Sequence, residues 1–175
     1  MTTPLPPTRA AVLAAGAISA AIALLTDLTS KWWALEALAD GHRVPVLGNV
    51  LSLRLVFNPG AAFSLGDNFT LVLTGIAGII SVVLIVAIWR ARTTLYAVLL
   101  GLLLGGALGN LYDRLTQPPS MGRGHVVDFI DYNGWFVGNV ADIWIVLAAA
   151  ALVLMASRKH PDSGTPADSE DATHA

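Results

Sequence analysis

Four long apolar runs constrain this chain more than any other feature of its sequence. The clearest is residues 69–89, FTLVLTGIAGIISVVLIVAIW, which holds 21 residues and no charged side chain. At about 1.5 Å of rise per residue, a helix of this length crosses a hydrocarbon core roughly 30 Å thick. Similar runs at about residues 10–30, 93–112 and 137–157 predict three more transmembrane helices.

The composition agrees and excludes several classes of protein. The chain is 55% hydrophobic and 13% charged, whereas soluble domains have roughly a quarter of their residues charged. The absence of cysteine excludes disulfides, thiol nucleophiles and cysteine metal sites. The four histidines show no metal-ligand spacing, so we expect no metal and no cofactor. Residues 1–157 carry eight basic and eight acidic side chains, so no nucleic-acid surface is expected.

Charges between the apolar runs predict how the chain is oriented. Five basic residues fall on each side of a four-helix arrangement, so their number alone does not determine the orientation in the membrane. The positive-inside rule concerns short loops, and the turn at 90–92 carries two arginines, while Arg158 and Lys159 follow the fourth run directly. We therefore predict cytoplasmic termini, a transmembrane domain at 1–157 and a disordered tail at 158–175.

The first outer connection has the pattern of a β-strand. Residues 51–57, LSLRLVF, place leucine and phenylalanine on one face and mostly polar side chains on the other. The strand runs into NPGAAF at 58–63, where proline favours an extended conformation at Asn58 and Gly60 permits a tight turn. We predict a small extracytoplasmic β-sheet within about residues 42–66.

The second outer connection, residues 115–136, begins as a loop and continues as HVVDFIDYNGWF. Its aromatic side chains suit the membrane–water interface. We predict a short loop or helical segment here. Gly124 and Gly134 flank VVDFID and suggest that this segment moves as a lid.

Four carboxylates lie at or near the outer ends of the predicted helices, all on one side of the membrane: Asp27, Asp113, Asp128 and Asp142. Ionisable groups at membrane depth are costly and usually face a protein interior or a water-filled cavity. Two carboxylates held together share a proton, so the charged one can draw a proton from water while the neutral one protonates the substrate. This convergence predicts an aspartic peptidase.

Each charged residue also has a simpler interpretation. Asp142 near a helix start favours the positive end of the helix dipole. Asp113 and Arg114 have the spacing of a structural ion pair at a helix end, and Asp27 with Lys31 is an ordinary i, i+4 pair.

The asparagines, Asp131 and the glycines of the third run have simple interpretations too. Asn110 and Asn139 could be interhelical hydrogen-bonding residues, and Asp131 a solvated neighbour of Asp128. Small-xxx-small spacing, typical of close helix packing, occurs in the third run at Gly101, Gly105 and Gly109. Against these interpretations, Asn110 lies on one helix face with Asp113 and Arg114, while Asn139 and Asp142 share another face.

In order and spacing, five motifs resemble those of the lipoprotein signal peptidases (signal peptidase II), the intramembrane aspartyl peptidases that remove signal peptides from bacterial prolipoproteins. The resemblance covers about residues 20–155. The motifs are Asp27 with Ser30-Lys31, NPGAAF at 58–63, GGALGNLYDR at 105–114, VVDFID at 126–131 and NVADI at 139–143. One departure is Gly138, where the family commonly has phenylalanine.

The resemblance implies a fold of four transmembrane helices with a small extracytoplasmic sheet, and an active site without metal or cofactor. Asp128 and Asp142 would be the catalytic pair. The implied substrate-binding residues are Asn58, Gly60, Gly106, Asn110, Arg114 and Asn139. The implied supporting residues are Asp27, Lys31 and Asp113, the last of which would orient Arg114.

The resemblance also implies the partners and the location of the protein. The substrate would be a membrane-anchored signal peptide whose cleavage-site cysteine carries diacylglycerol, cut just before that cysteine. Small residues before the cysteine would fit a pocket walled by Gly60, Ala61 and Ala62. We expect a monomer that contacts membrane lipid in the bacterial cytoplasmic (inner) membrane, with its active site on the extracytoplasmic face.

Three alternatives remain open from the sequence. A serine–lysine peptidase is suggested by Ser30-Lys31, although adjacent helix residues do not face each other, and AFSLG at 62–66 lacks the first glycine of a GxSxG elbow. Intramembrane carboxylates also serve proton or ion transport. Against transport, the second run offers only three polar side chains, Thr70, Thr74 and Ser81. The third alternative is a non-catalytic membrane assembly protein.

Overall fold

The computed structural model describes residues 7–48, 50–60 and 67–158. The helices are α1 (Arg9–Ala37), α2 (Asp67–Arg90), α3 (Thr94–Thr116) and α4 (Val140–Ser157). The strands are β1 (Val44–Leu47), β2 (Leu51–Asn58), β3 (Val126–Tyr132) and β4 (Phe136–Gly138). Several predicted features lie outside the described residues: the tail beyond residue 158, and Ala61, Ala62 and Ser64.

All four helices are long and apolar enough to cross a membrane, which confirms the predicted helical membrane fold. Their ends differ from the prediction. Helix α1 continues past residue 30 to Ala37, so its 29 residues exceed the thickness of a hydrocarbon core. Trp32 and Trp33 are exposed on this extension, where an interfacial position suits them. Helix α4 begins only at Val140, because the residues before it belong to β4.

Helix α3 lies at the centre of the bundle and packs against each of the other three helices. Its glycines make the contact with α1 possible. A Cβ at Gly101 would collide with Ser19, one at Gly105 with the Ala20 carbonyl, and one at Gly109 with the Asp27 carboxylate. The predicted role of this glycine ridge in helix packing is confirmed.

The outer surfaces of α2 and α4 are apolar and exposed. Ile79 is 67% exposed and Val153 also 67%, values that a water-facing helix would not favour. The buried core inside the bundle lies where α1, α2 and α3 meet, around Ala20, Ile88 and Leu100. The remaining apolar surface is what lipid tails would cover.

A four-stranded antiparallel sheet, in the order β1-β2-β3-β4, covers one end of the bundle. The strand predicted at 51–57 is confirmed, but its alternation is interrupted by an irregular register between Leu53 and Val56. Leu53 and Leu55 pack with Phe129 over the end of α1. Phe57, on the predicted apolar face, is 47% exposed, because the sheet no longer turns it inward.

The second outer connection, predicted as a short loop or helical segment, instead supplies a strand in the middle of this sheet, because its apolar residues pair on both edges. After a loop at 117–125, residues Val126–Tyr132 form β3, which pairs with β2 on one side and β4 on the other. Val126, Val127, Asp128 and Phe129 are all buried. A buried strand bonded along both edges argues against the interpretation of this segment as a lid.

Candidate active site

The four carboxylates singled out in the sequence lie together where the bundle meets the sheet. They come from four elements: Asp27 from α1, Asp113 from the end of α3, Asp128 from β3 and Asp142 from the first turn of α4. Asp27, Asp113 and Asp128 are each at most 2% exposed, while Asp142 is partly buried.

Asn139 joins Asp128 to Asp142. Its side-chain Nδ2 donates to Asp128 Oδ1 at 2.6 Å, and its backbone N–H donates to Asp142 Oδ2 at 3.1 Å. One residue therefore fixes the relative position of the two carboxylates.

The position of Asn139 follows from local helix chemistry. Asn139 is the N-cap of α4, and its Oδ1 accepts the backbone N–H of Asp142 at 3.1 Å, which completes a capping box. Capping residues satisfy N–H groups that the helix itself cannot bond. The simpler interpretation of Asp142, as a residue that favours the helix start, is thus correct and compatible with its place in the site.

Asn58, at the end of β2, holds Asp128 from the other side. Its Nδ2 donates to Asp128 Oδ2 at 2.8 Å, while its Oδ1 accepts the N–H of Gly60 at 2.8 Å. Gly60 has a φ of +101°, which favours glycine, and a Cβ there would strike Leu73. Thr70 of α2 donates to the Pro59 carbonyl at 2.8 Å and anchors the turn.

Lys31 is the buried cation of the site, not half of an ordinary surface pair. The residue is 2% exposed. Its Nζ lies 2.7 Å from Asp27 Oδ2 and 2.9 Å from Asp113 Oδ2, and donates to Asn110 Oδ1 at 2.9 Å. An ammonium has three protons to donate, so all three are used.

Asn110 connects this cation to the two carboxylates. Its Oδ1 accepts from Lys31 and, at 3.1 Å, from Asn139 Nδ2, which uses both lone pairs. Its Nδ2 then donates to Asp142 Oδ1 at 3.2 Å. The interpretation of Asn110 and Asn139 as interhelical hydrogen-bonding residues is correct, but both also bond directly to the paired carboxylates.

Asp27 and Asp113 each hold the backbone just before one of the paired aspartates. Asp113 Oδ2 accepts the N–H of Val127 at 3.1 Å, next to Asp128. Asp27 Oδ1 accepts the N–H of Ala141 at 2.8 Å, next to Asp142. Since Lys31 bridges the two acids, a single buried cluster positions both β3 and α4.

The ion pair predicted between Asp113 and Arg114, both of which the structure describes, is not observed. Among the described residues no ion pair within 4 Å joins them, because the Asp113 carboxylate faces Lys31 and β3. Arg114 is half-buried, and its Nη1 has no hydrogen-bond partner in the described part of the chain. It lines a mostly apolar cavity of about 340 Å³ between α2, α3 and α4, together with Asn110 and Ile145.

A second apolar cavity, of about 320 Å³, lies along another face of α4. Asp142 lines it, with Tyr132, Phe136 and Ile143. Gly138 leaves this region open, since a Cβ there would come within 2.8 Å of Asp142 Oδ2 and 2.6 Å of the Phe136 ring. Gly106, in contrast, faces no cavity: a Cβ there would lie 2.8 Å from the Ala141 carbonyl.

Burial raises the pKa of Asp128 from 3.8 to about 6. The neighbouring charge of Asp142 acts in the same direction, and the hydrogen bonds from Asn58 and Asn139 oppose it. A carboxyl with such a pKa carries its proton for an appreciable fraction of the time near neutral pH.

Two groups of contacts were not predicted from the sequence. Asp131 is 1% exposed and pairs with Arg43 at 3.5 Å and Arg54 at 3.4 Å, so the expectation of a solvated residue is wrong. Thr74 of α2 donates to the Gly122 carbonyl at 2.6 Å and holds the loop before β3. The sequence shows the charge of Asp131 and the hydroxyl of Thr74, but the partners of these groups depend on strand pairing and helix packing.

The geometry disfavours two alternatives. Ser30 Oγ donates to the Asp27 carbonyl at 2.8 Å, and every Lys31 donor is committed elsewhere, so Ser30 and Lys31 do not form a catalytic pair. In α2, Thr74 and Ser81 donate to backbone carbonyls of their own helix. Within the described residues, α2 therefore offers no chain of polar groups to the opposite end.

Comparison with known proteins gives a consistent result. The family model of signal peptidase (SPase) II matches residues 19–158. A lipoprotein signal peptidase of Bifidobacterium longum subsp. infantis is 42% identical over 156 residues, covering 89% of this chain and 84% of that protein. Another, of Rhodococcus jostii, is 46% identical over 140 residues, covering 79% and 70%. A solved bacterial membrane enzyme, 24% identical, shares the fold with a TM-score of 0.72 over 83% of this chain and 94% of that one. The chain therefore belongs to the signal peptidase II family.

Proposed function

We propose that Asp128 and Asp142 are the catalytic pair with which this chain cleaves diacylglyceryl-modified prolipoproteins, just before the lipidated cysteine. Membership of the family makes the chain a peptidase that removes signal peptides from prolipoproteins. The observation that supports the residue assignment is the bridge through Asn139, which donates to both carboxylates. We assign the activity to the domain at residues 1–157.

The two carboxyl groups take different roles. Burial raises the pKa of Asp128 to about 6, which favours its protonated form relative to an ordinary aspartate, and we assign it the role of general acid. Asp142, which is less buried than Asp128 and lines the cavity beside Phe136, is the general base. The pair titrates as a unit, so the proton is shared between two coupled groups.

The reaction then follows from these roles. Asp142 removes a proton from water as the water oxygen attacks the scissile carbonyl carbon, and Asp128 donates its proton to the carbonyl oxygen. The tetrahedral intermediate collapses when the C–N bond breaks: the proton on Asp142 passes to the leaving nitrogen, and one hydroxyl proton of the intermediate returns to Asp128 as the carbonyl re-forms. The products are a signal peptide with a new carboxyl terminus and a lipoprotein with a free cysteine amine.

The surroundings fit a substrate that is apolar on both sides of a single peptide bond. Asp142 lines the cavity beside Phe136, and Asn110, which donates to Asp142, lines the cavity beside Arg114; both cavities are walled largely by apolar side chains. We assign them to the signal peptide and the acyl chains. Arg114, whose buried Nη1 has no hydrogen-bond partner within the described residues, is the donor that we assign to a substrate carbonyl. The other substrate-binding residues hold the site: Asn58, Gly60, Gly106, Asn110 and Asn139.

The location is part of the proposal. The chain is a multi-pass membrane protein. We place it as a monomer in the bacterial cytoplasmic membrane, with the site at the extracytoplasmic face and both termini in the cytoplasm. The two arginines of the short α2–α3 turn support this orientation.

The test is cleavage of a diacylglyceryl-modified prolipoprotein peptide by purified protein in detergent. Asp128→Asn and Asp142→Asn should each lower kcat by about 10²- to 10⁴-fold, because each removes a proton-transfer group. Asp40→Asn makes the same chemical change at an exposed turn and should leave kcat unaltered. Folding of each variant is confirmed by its thermal unfolding transition.

Two outcomes would contradict the assignment. Folded aspartate variants that cleave as well as wild type would make the cluster structural and favour an assembly role. Proton or ion flux in proteoliposomes that disappears with Asp142→Asn, without peptide cleavage by wild type, would favour transport.

A further inference from the structure

The end of the bundle opposite the candidate active site is rich in arginine. Arg9 begins α1, Arg90 ends α2, Arg92 lies in the turn before α3, and Arg158 follows α4. The described residues include eight aspartates and glutamates, and all of them belong to the half of the molecule that carries the sheet. Positive charge at the arginine end is therefore uncompensated within the described residues.

Three of these arginines line one cavity. Arg9, Arg90 and Arg92 surround a space of about 580 Å³, with Trp89 as a further wall. Within the described residues none of the three has a carboxylate within 4 Å. A cavity of this volume falls in the range of small-ligand sites, about 300–1,000 Å³.

Trp89 holds one of the cations in place. The guanidinium of Arg9 lies over the Trp89 ring, 5.1 Å from its centroid, and the tryptophan is 60% exposed. A guanidinium stacked on a ring keeps its in-plane N–H groups available, and these match two phosphate oxygens at once.

A second cavity, of about 350 Å³, shares the same turn. Arg90 and Arg92 line it, together with Tyr96 at the start of α3 and Met155 at the end of α4. Below both cavities the α2 surface is apolar and exposed, as at Val83 and Val86. A polar cationic cavity thus continues directly into a surface suited to hydrocarbon.

We propose that this arginine cavity binds the phosphate headgroup of an anionic phospholipid, with the acyl chains lying along α2. Basic pockets at helix ends are suited to anionic headgroups, at about 1 kcal/mol for each arginine or lysine near the surface. The positive-inside rule accounts for the charges alone. It does not require that they enclose a cavity or that one is stacked on a tryptophan. The proposal is independent of the peptidase chemistry.

The test counts lipids retained by the full-length protein in neutral detergent, measured by native mass spectrometry. Dioleoylphosphatidylglycerol, which is anionic, should bind saturably and in preference to dioleoylphosphatidylcholine. Arg92→Gln should weaken its apparent affinity about fivefold for the charge lost. Trp89→Leu should weaken it about two- to fivefold without any change of charge.

Arg158→Gln is the matched control, because it removes the same charge at the same end but from a residue that lines neither cavity. Retention that falls equally in Arg158→Gln and Arg92→Gln, or equal retention of the two lipids by wild type, would overturn the proposal. Displacement of the lipid by inorganic phosphate would assign the cavity to a soluble anion instead. Tight phosphatidylglycerol binding that appears only after Asp162, Asp168, Glu170 and Asp171 are neutralised would assign it to the chain's own tail.

Discussion

At the scale of single residues, the site depends on how one lysine is shared. Lys31 contacts Asp27, Asp113 and Asn110, and the two acids in turn bond the backbone N–H groups beside the proposed catalytic pair. Buried ion pairs add little net stability when intact, but removing one partner leaves an uncompensated buried charge. Loss of the lysine should therefore cost more stability, through the buried charges left without a partner, than any single one of its contacts contributes.

Lys31→Met should lower the free energy of unfolding by about 3–5 kcal/mol, because it leaves Asp27 and Asp113 buried without a counter-ion. The measurement is urea or thermal unfolding in detergent. Glu36→Gln, an exposed change on the same helix, should alter stability by less than about 0.5 kcal/mol. A loss for Lys31→Met no larger than for this control would contradict the described cluster.

Asp128 should make stability fall as pH rises. Its pKa is raised from 3.8 to about 6 by burial, so the folded protein binds this proton more tightly than the unfolded chain. The resulting stabilisation is complete below about pH 4 and is lost as pH rises through about 6, a change of about 2–3 kcal/mol.

The measurement for Asp128 compares wild type with Asp128→Asn across this pH range. The difference in unfolding free energy should shift against wild type as pH increases, because the variant has no proton to lose. A difference that stays constant, or shifts the other way, would show that the pKa is not raised.

At the scale of elements, close approach of α1 and α3 is the condition for the site. Asp27 and Lys31 on α1 reach Asn110 and Asp113 on α3 only because glycines allow the two backbones to meet. Small residues permit such packing in membranes, where the hydrophobic effect does not drive helices together. Loss of the close contact between α1 and α3 should therefore disturb the hydrogen bonds and ion pairs that hold the site.

Gly105→Ala should destabilise the fold and reduce activity together, since a Cβ there would lie within 2.9 Å of the Leu24 backbone nitrogen as well as against Ala23. Overpacking of this kind costs about 1–3 kcal/mol. Gly78→Ala in α2 is the matched control, because a Cβ there meets nothing within 4 Å. Unfolding and cleavage assays on both variants test this, and equal behaviour would argue against a tight α1–α3 interface.

At the scale of the whole molecule, the two ends of the bundle differ in chemistry. The sheet end holds the buried carboxylates, whereas the opposite end holds arginines that have no carboxylate within 4 Å among the described residues. This asymmetry is what the proposed orientation rests on.

The absence of native cysteine makes that orientation directly measurable. In intact bacteria, a membrane-impermeant maleimide should label Asp40→Cys at the sheet end but not Ser157→Cys at the end of α4, both of which are exposed positions. Labelling of Ser157→Cys alone would place the site on the cytoplasmic face. Labelling of both after permeabilisation confirms that each thiol is reactive.

The sequence by itself determined the four membrane helices, the first outer strand and the carboxylates that lipid would not tolerate. Length, hydropathy and the cost of charge at membrane depth act locally, so they can be read along the chain. The resemblance of the five motifs then named the catalytic pair, and the structure brings Asp128 and Asp142 together.

Only the tertiary structure decided which groups these side chains contact. Three contacts depend on segments that are distant in sequence. Lys31 gains Asn110 as a third partner, Asp113 faces Lys31 and β3 instead of Arg114, and Asp131 is buried between two arginines. The same holds for β3: the sequence predicted a loop or helical segment here, and pairing with β2 and β4 along both edges makes it a strand. Hydrogen bonds between elements far apart in sequence leave no periodic signal, and a buried charge takes whichever counter-charge the packing brings within reach.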